Sequence, residues 1–190
     1  KKKLKRFLAG VDEVGRGSLA GPVVAAAVIL GENNVKGLSD SKKLSQKKRT
    51  ELSNIIKLKA HAFSIATVSA RIIDKVNIRN ASILAMEKAI DGLKHSPRKI
   101  IVDGRDSLNS KHPVSTLVKA DNLVPEVMAA SIIAKVFRDE LMMLLDCKYP
   151  KYSFGSHKGY ATKKHIDAIN SYGIIKEHRK SFGIVKNINE

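Results

Sequence analysis

The sequence predicts an α/β fold: a mixed β-sheet flanked by helices, with a C-terminal helical segment. Three observations predict it. Two apolar runs, residues 7–14 and 22–30, flank a glycine-rich connection and read as paired, buried strands. Beyond them, β-rich stretches alternate with stretches of helical periodicity. The hydrophobic fraction, 43% of 190 residues, is enough for the core of one such domain.

The first two strands are joined through Gly15, Gly17 and Gly21 and form a hairpin. Asp40-Ser41-Lys42-Lys43-Leu44 is a polar, basic connection. Ser45 is a side-chain cap for a helix to about Lys57, with Leu52, Ile55 and Ile56 inward. His61 to Val68 alternates and is a strand. From Asn77 to Leu93 the residues Ile78, Ala81, Ala85, Met86, Ala89 and Leu93 share one helical face. Two short apolar strands follow, Lys99 to Val102 and Val114 to Val118, the first ending in Asp103-Gly104 and the second in Lys119-Ala120-Asp121. Pro125 suits the first turn of a long helix from Glu126 to Asp146, which Pro150 closes. Thr162 caps a further helix that stops before Gly173, and the remainder is short and basic.

Carboxylates recur where strands end. Asp12 and Glu13 close the first strand, and Asp103 and Asp121 follow the fourth and fifth. Successive side chains of an ideal strand point to opposite faces, so Asp12 and Glu13 share a site only where the strand ends or bends. Gly15 and Gly17 supply that freedom. Sites in such sheets form beyond strand ends, and if strands one, four and five are neighbours the four acids converge. Converging carboxylates raise one another's pKa, a conflict that divalent cations remove. Oxygen donors without His or Cys nearby point to Mg²⁺ or Mn²⁺, and two such ions are the device for in-line hydrolysis of a phosphodiester. Read singly, each acid is better explained as a turn former or helix cap; read jointly, on a basic chain, the four are not.

The charge balance limits the partners. The formal charge is +17, from 35 Lys plus Arg against 18 Asp plus Glu, which favours a nucleic-acid partner. Basic clusters lie at residues 1–6, 42–49, 158–165 and 176–180. A single cysteine, Cys147, excludes an internal disulfide and suits a reducing, cytoplasmic setting. Asp12 and Glu13 interrupt the first apolar run, so neither a signal peptide nor a membrane span is expected. The chain is expected to act as a monomer.

With these residues in place, the segment from Gly10 to Val28 resembles the opening signature of ribonuclease HII, the type 2 ribonuclease H family. Further blocks resemble that family in its order: Asp40-Ser41-Lys42-Lys43-Leu44, Val102-Asp103-Gly104, Ala129-Ala130-Ser131-Ile132 with Ala134-Lys135, Arg138-Asp139, His157-Lys158-Gly159-Tyr160 and His178-Arg179. The resemblance implies one ribonuclease H-like catalytic domain over 1–190, of which 151–190 is a basic, substrate-contacting helical segment. It implies that Asp12, Glu13, Asp103 and Asp121 are both catalytic and metal-binding. It implies that Gly15, Arg16 and Gly17 sense the 2′-hydroxyl of a ribonucleotide, the group that marks RNA at a given position. Tyr160 matches a tyrosine that packs on the adjoining sugar, and Lys42, Lys43, His157 and Lys158 are expected on the substrate. The implied activity is endonucleolytic hydrolysis 5′ of a ribonucleotide, in RNA–DNA hybrids and at single ribonucleotides in duplex DNA, leaving a 3′-hydroxyl and a 5′-phosphate. The usual Lys-Gly-Asp of the family reads Lys119-Ala120-Asp121 here, and a positive φ at Ala120 would cost about 1 kcal/mol.

Two competing readings are weaker. Gly15-x-Gly17-x-x-Ala20 fits a dinucleotide fingerprint formally, but Gly21-Pro22 and a β-rich run follow instead of a helix. His157, His165 and His178 have basic surroundings that disfavour a metal, which leaves phosphate contacts or solvated imidazoles. The rival function is a non-catalytic basic nucleic-acid-binding protein of the same fold; retention of all four acids stands against it.

Overall fold

The computed structural model describes residues 7–33 and 35–189, so the basic cluster at 1–6 lies outside the described residues. Five strands form one mixed sheet: β1 (Leu8–Val14), β2 (Val23–Ile29), β3 (Ala62–Val68), β4 (Lys99–Asp103) and β5 (Val114–Leu117), in the order β3-β2-β1-β4-β5. β1 runs antiparallel to β2, with Gly10 opposite Val28 and Val14 opposite Val24. β3 continues the antiparallel side, while β4 pairs parallel with β1 and β5 parallel with β4. The first, fourth and fifth strands are therefore neighbours, as convergence of the acids required. Because a strand rather than a helix follows Gly21-Pro22, the dinucleotide pattern has no helix to act on.

Six α-helices occur among the described residues: α1 (Gln46–Lys59), α2 (Ala70–Asp91) and α3 (Pro125–Lys148), which cover the sheet, and α4 (Phe154–His157), α5 (Lys163–Tyr172) and α6 (Gly183–Asn189). The two sheet faces bury alternate residues. Val23, Ala25, Ala27 and Ile29 of β2 face α2, through Ile73, Ala81, Ala85 and Met86. Val24, Ala26 and Val28 face α1 and α3, through Leu52, Ile56, Ala129, Ile132 and Ile133. β1 passes so close beneath the start of α3 that a Cβ on Gly10 would lie 2.2 Å from the Val127 nitrogen. Backbone cannot yield there, so glycine is what lets α3 sit directly on the strand that carries Asp12 and Glu13.

Several local expectations are corrected. Ile55 is 37% exposed, because Leu52 and Ile56, four residues apart, already fill the inward stripe of α1. α2 begins at Ala70 rather than Asn77; its two parts join at Asn77, whose φ of 65° breaks the helix. The Asn77 side chain accepts a hydrogen bond from the Asn80 N–H at 3.0 Å, capping the second part, which is why the periodicity began there. The tail beyond Gly173, read as short and basic within the helical segment 151–190 with no helix bounds of its own, forms α6. The positive φ near Asp121 belongs to Lys119, at 61°, while Ala120 lies buried in a 3₁₀ turn, so the expected strain at Ala120 is absent. Ser45 and Thr162 cap α1 and α5 as predicted, and Pro125 opens α3.

Candidate active site

β1 and β4 stay paired only as far as Val11 opposite Val102. Beyond that pair they no longer bond, and a cleft of about 340 Å³ opens at their carboxyl ends. Asp12, Glu13, Asp103, Lys42, Lys135 and Tyr160 are among its lining residues. Asp12 sits on the α3 side of β1 and Glu13 on the other, yet both reach the cleft because the sheet has parted there.

Each acid has its own support. Asp12 is buried, and its Oδ1 accepts the Glu13 N–H at 2.8 Å. Burial, reinforced by the charges of Glu13 and Asp103, pushes its pKa well up, against a hydrogen bond from Ser131. Ser131 is itself fixed by the Ser41 hydroxyl at 2.9 Å. Burial also raises Glu13, although the Arg16 guanidinium, with Nη1 3.2 Å from Glu13 Oε1, works the other way. Asp103 accepts the Ala120 N–H at 2.7 Å, and burial together with the charge of Asp121 still raises its pKa. Asp121 does not line the cleft; it sits in the 3₁₀ turn after β5, where its charge acts on Asp103 and it accepts from the Asn122 side chain at 3.0 Å.

Two cations face these acids. Lys42 Nζ lies 3.2 Å from Asp121 Oδ2; burial lowers the lysine's pKa, but Asp121, with the charges of Asp40 and Asp12, raises it on balance. Lys43 reaches Asn122 Oδ1 at 3.2 Å. Both lysines leave a 3₁₀ turn capped by Asp40, and Arg49 of α1 donates to the Ser41 carbonyl at 2.9 Å to hold that turn. Arg16 bridges Glu13 to Asp106, and Asp106 also accepts from Arg79 at 2.7 Å, an arginine that holds its carboxyl below the usual range. Among the described residues no three His, Cys, Asp or Glu side chains close into a ligand cage. Arg16 draws Glu13 aside and Lys42 draws Asp121. The donor set is nonetheless all oxygen, and its raised carboxyl pKa values mark a site that gains from a hard divalent cation.

The glycine turn is held from beneath. Gly15, with φ 93°, has no room for a Cβ, which would lie 2.2 Å from Arg138 Nε. Arg179 donates to the carbonyls of Gly15 at 2.7 Å, Arg16 at 2.8 Å and Gly21 at 3.0 Å. Arg138 donates to Pro22 and Ala20 carbonyls, to Ser18 Oγ and to the Lys158 carbonyl. Both arginines are fully buried, and burial lowers their pKa values, that of Arg179 to about 9. With the carbonyls of Gly15 and Arg16 turned inward onto Arg179, the Gly15-Arg16-Gly17 turn is held beside Glu13. Gly17 has open space around it.

The remaining expected residues divide. Tyr160 reaches the cleft, with the Arg138 guanidinium 5.5 Å from its ring centre. Lys158 does not line it; its ammonium turns back to the Gly155 carbonyl at 2.5 Å. The expectation of solvated or phosphate-bound histidines is corrected. His157, His165 and His178 are all buried, and both ring nitrogens of each meet protein partners, which leaves none for a phosphate. Sequence reasoning gave no role to Arg138, Arg179, Ser131, Asp106 or Arg79. One signal was available: Arg138 falls at helical spacing from Ala130 and Ala134, on an otherwise apolar inward face.

The comparisons with known proteins agree with this architecture. A family model described as ribonuclease HII matches residues 9–185. Ribonuclease HII of Shewanella loihica is 48% identical over 184 residues, covering 95% of this chain and 88% of that protein. Ribonuclease HII of Vibrio parahaemolyticus is 51% identical over 182 residues, covering 95% and 86%. Among solved structures, ribonuclease H2 of Pyrococcus horikoshii superposes with a TM-score of 0.83 at 28% identity, covering 96% of each chain. The chain thus belongs to the ribonuclease HII family and is a metal-dependent endoribonuclease with the ribonuclease H-like fold.

Proposed function

We propose that this endoribonuclease cuts the phosphodiester 5′ of a ribonucleotide, both in RNA–DNA hybrids and at single ribonucleotides embedded in duplex DNA. The observation that carries the reading is the meeting of Asp12, Glu13 and Asp103 in one cleft beside the clamped Gly15-Arg16-Gly17 turn. Asp12, Glu13, Asp103 and Asp121 are the residues to hold Mg²⁺ or Mn²⁺. Two such ions, when bound, would activate a water and stabilise the departing 3′ oxygen.

The protein's own groups do the rest. The glycine turn approaches the minor groove without side-chain obstruction and meets the 2′-hydroxyl with backbone groups. The Tyr160 ring packs on the sugar that follows. Lys42 and Lys43 take backbone phosphates, and Arg16 holds a phosphate once a cation satisfies Glu13. The excess of positive charge draws in the duplex. Products carry a 3′-hydroxyl and a 5′-phosphate. The chain acts as a monomer. Among the described residues no helix is long and apolar enough to cross a membrane.

Labelled duplexes with one ribonucleotide, with a long hybrid and with DNA alone test this directly. Cutting 5′ of the ribonucleotide in Mg²⁺ or Mn²⁺, with DNA alone left whole, is the expected outcome. Asp103→Asn is expected to abolish cutting while retaining duplex binding. A duplex with one ribonucleotide left intact in both metals, while the hybrid is cut, would remove the single-ribonucleotide half of the reading.

A further inference from the structure

Away from the acidic cleft, three imidazoles are buried side by side. His157, His165 and His178 are 8%, 0% and 1% exposed. His157 and His165 stack with ring centroids 4.4 Å apart, and Phe154 lies edge-on to both. They come from α4, from α5 and from the segment after α5.

Their backbone partners fix where the protons sit. A backbone N–H only donates, so the nitrogen facing it carries no hydrogen. The Ile175 N–H donates to His178 Nδ1 at 2.9 Å, which places the His178 hydrogen on Nε2. That Nε2–H donates to His165 Nε2 at 3.1 Å. The His165 hydrogen is therefore on Nδ1, where it donates to the Tyr160 carbonyl at 3.0 Å. By the same logic the Gly159 N–H donates to His157 Nδ1 at 3.1 Å, and His157 Nε2–H donates to the Tyr152 carbonyl at 2.8 Å. One set of neutral tautomers satisfies every bond. An added proton on His165 or His178 would set N–H against N–H.

The relay ends on the turn that presents Tyr160. Lys158 and Gly159 both have positive φ, and their carbonyls accept from Arg138 at 3.0 Å and from the Leu19 N–H at 2.8 Å. At its other end His178 forms a β-bridge with Ala20. The imidazoles thus join the glycine connection to the Tyr160 turn without entering the cleft.

We propose that His165 and His178 are positioning residues, a chain of neutral imidazoles that fixes the Tyr160 backbone and so sets the preference for single ribonucleotides over long hybrids. The proposal rests on the reading of Tyr160 as the sugar-packing residue. Burial pulls both imidazoles down to about 4, which keeps the relay neutral. The groups facing it are His157 and the Tyr152 ring, with Asp146, Lys158 and Lys164 around His157. No carboxylate contacts His165 or His178 among the described residues.

A pair of isosteres separates positioning from packing. Asn at 165 keeps a donor near the Nδ1 place, hence the Tyr160 bond. Gln keeps a polar atom near the Nε2 place and loses that bond. His165→Asn is expected to hold the ratio of kcat/KM on a single-ribonucleotide duplex to that on a hybrid within about twofold, whereas His165→Gln lowers it about tenfold, the worth of one hydrogen bond. In a Tyr160→Ala background the two variants should give one ratio. Equal ratios for the variants in the presence of Tyr160 overturn the proposal. An unchanged ratio in Tyr160→Ala alone overturns the reading of Tyr160 and, with it, the selectivity role. Nitrogen NMR of the unmodified protein at mildly acid pH needs no variant to fold. Neutral rings are expected, with His165 as the Nδ1–H tautomer and His178 as the Nε2–H tautomer. A charged His165, or the opposite tautomer, overturns the relay.

Discussion

Lys42 Nζ stands 3.2 Å from Asp121 Oδ2, although the two residues are 79 positions apart in the chain. The lysine side chain is 80% exposed and the carboxylate 4%. An exposed lysine therefore covers a buried acid. Arg16 does the same for Glu13. The acidic cleft thus carries its own counter-charges, each on a side chain long enough to swing away.

From that arrangement, Lys42→Ala should act on substrate more than on fold. Lys42 is exposed, so the loss of stability should stay near zero. As a phosphate contact it should contribute about one unit to the slope of log affinity against log salt. Binding isotherms of an RNA–DNA hybrid over a salt series measure that slope. An unaltered slope would mean that Lys42 serves Asp121 alone.

Asp12 should trade stability for function. Burial raises its pKa well above the usual carboxyl value, so ionisation costs more in the folded protein than in the unfolded chain. Asp12→Asn removes the charge and keeps an oxygen to accept the Glu13 N–H. Without metal the variant should melt higher than the parent. With Mn²⁺ the parent should gain and the variant should not. Thermal scans with and without the ion measure both effects, and a lower metal-free Tm for Asp12→Asn would contradict the first.

Arg179→Met should damage the turn from behind. The guanidinium donates to the carbonyls of Gly15 and Gly21 in buried bonds and to that of Arg16 in a part-buried one. Orphaning several buried acceptors costs about 3 kcal/mol or more. Arg179→Lys should recover little, since one ammonium cannot span three carbonyls that a planar fork reaches. Urea unfolding midpoints report the stability. Cleavage of a single-ribonucleotide duplex reports the turn, and it should fall further than cleavage of a hybrid.

The buried imidazoles predict an acid limb of stability. His165 and His178 titrate near 4 when folded and near 6.5 when unfolded. Their contribution is complete above 6.5 and is lost as the pH falls toward 4, at up to about 1.4 kcal/mol per pH unit for each group. Asp12, Glu13 and Asp103, with raised values, act in the opposite sense: protonation on acidification relieves them. Replacing His165 and His178 together by Asn should flatten the acid limb between pH 6 and 4.5. Unfolding midpoints at several pH values measure it.

Sequence and structure agree most where local chemistry decides. Ser45, Thr162 and Pro125 mark helix starts because capping depends on nearest neighbours. The acids were legible because they sit where apolar runs stop. The histidines were misread for the opposite reason: Lys158, Lys163 and Lys164 suggest solvent, while burial of His165 depends on Phe154, Tyr152 and His178 arriving from elsewhere. Arg138 and Arg179 were quoted as blocks without roles, since their partners are carbonyls, which every residue has and no sequence displays. The strain assigned to Ala120 fell on Lys119 because a turn can shift its left-handed residue by one place.

The clamp on the glycine turn has a consequence for synthesis. Gly15 emerges from the ribosome early, but the arginine that seizes its carbonyl follows 164 residues later. The clamp on the turn can therefore close only after every strand of the sheet has been synthesised, and a nascent chain released before Arg179 would carry its acids beside a turn that lacks this support.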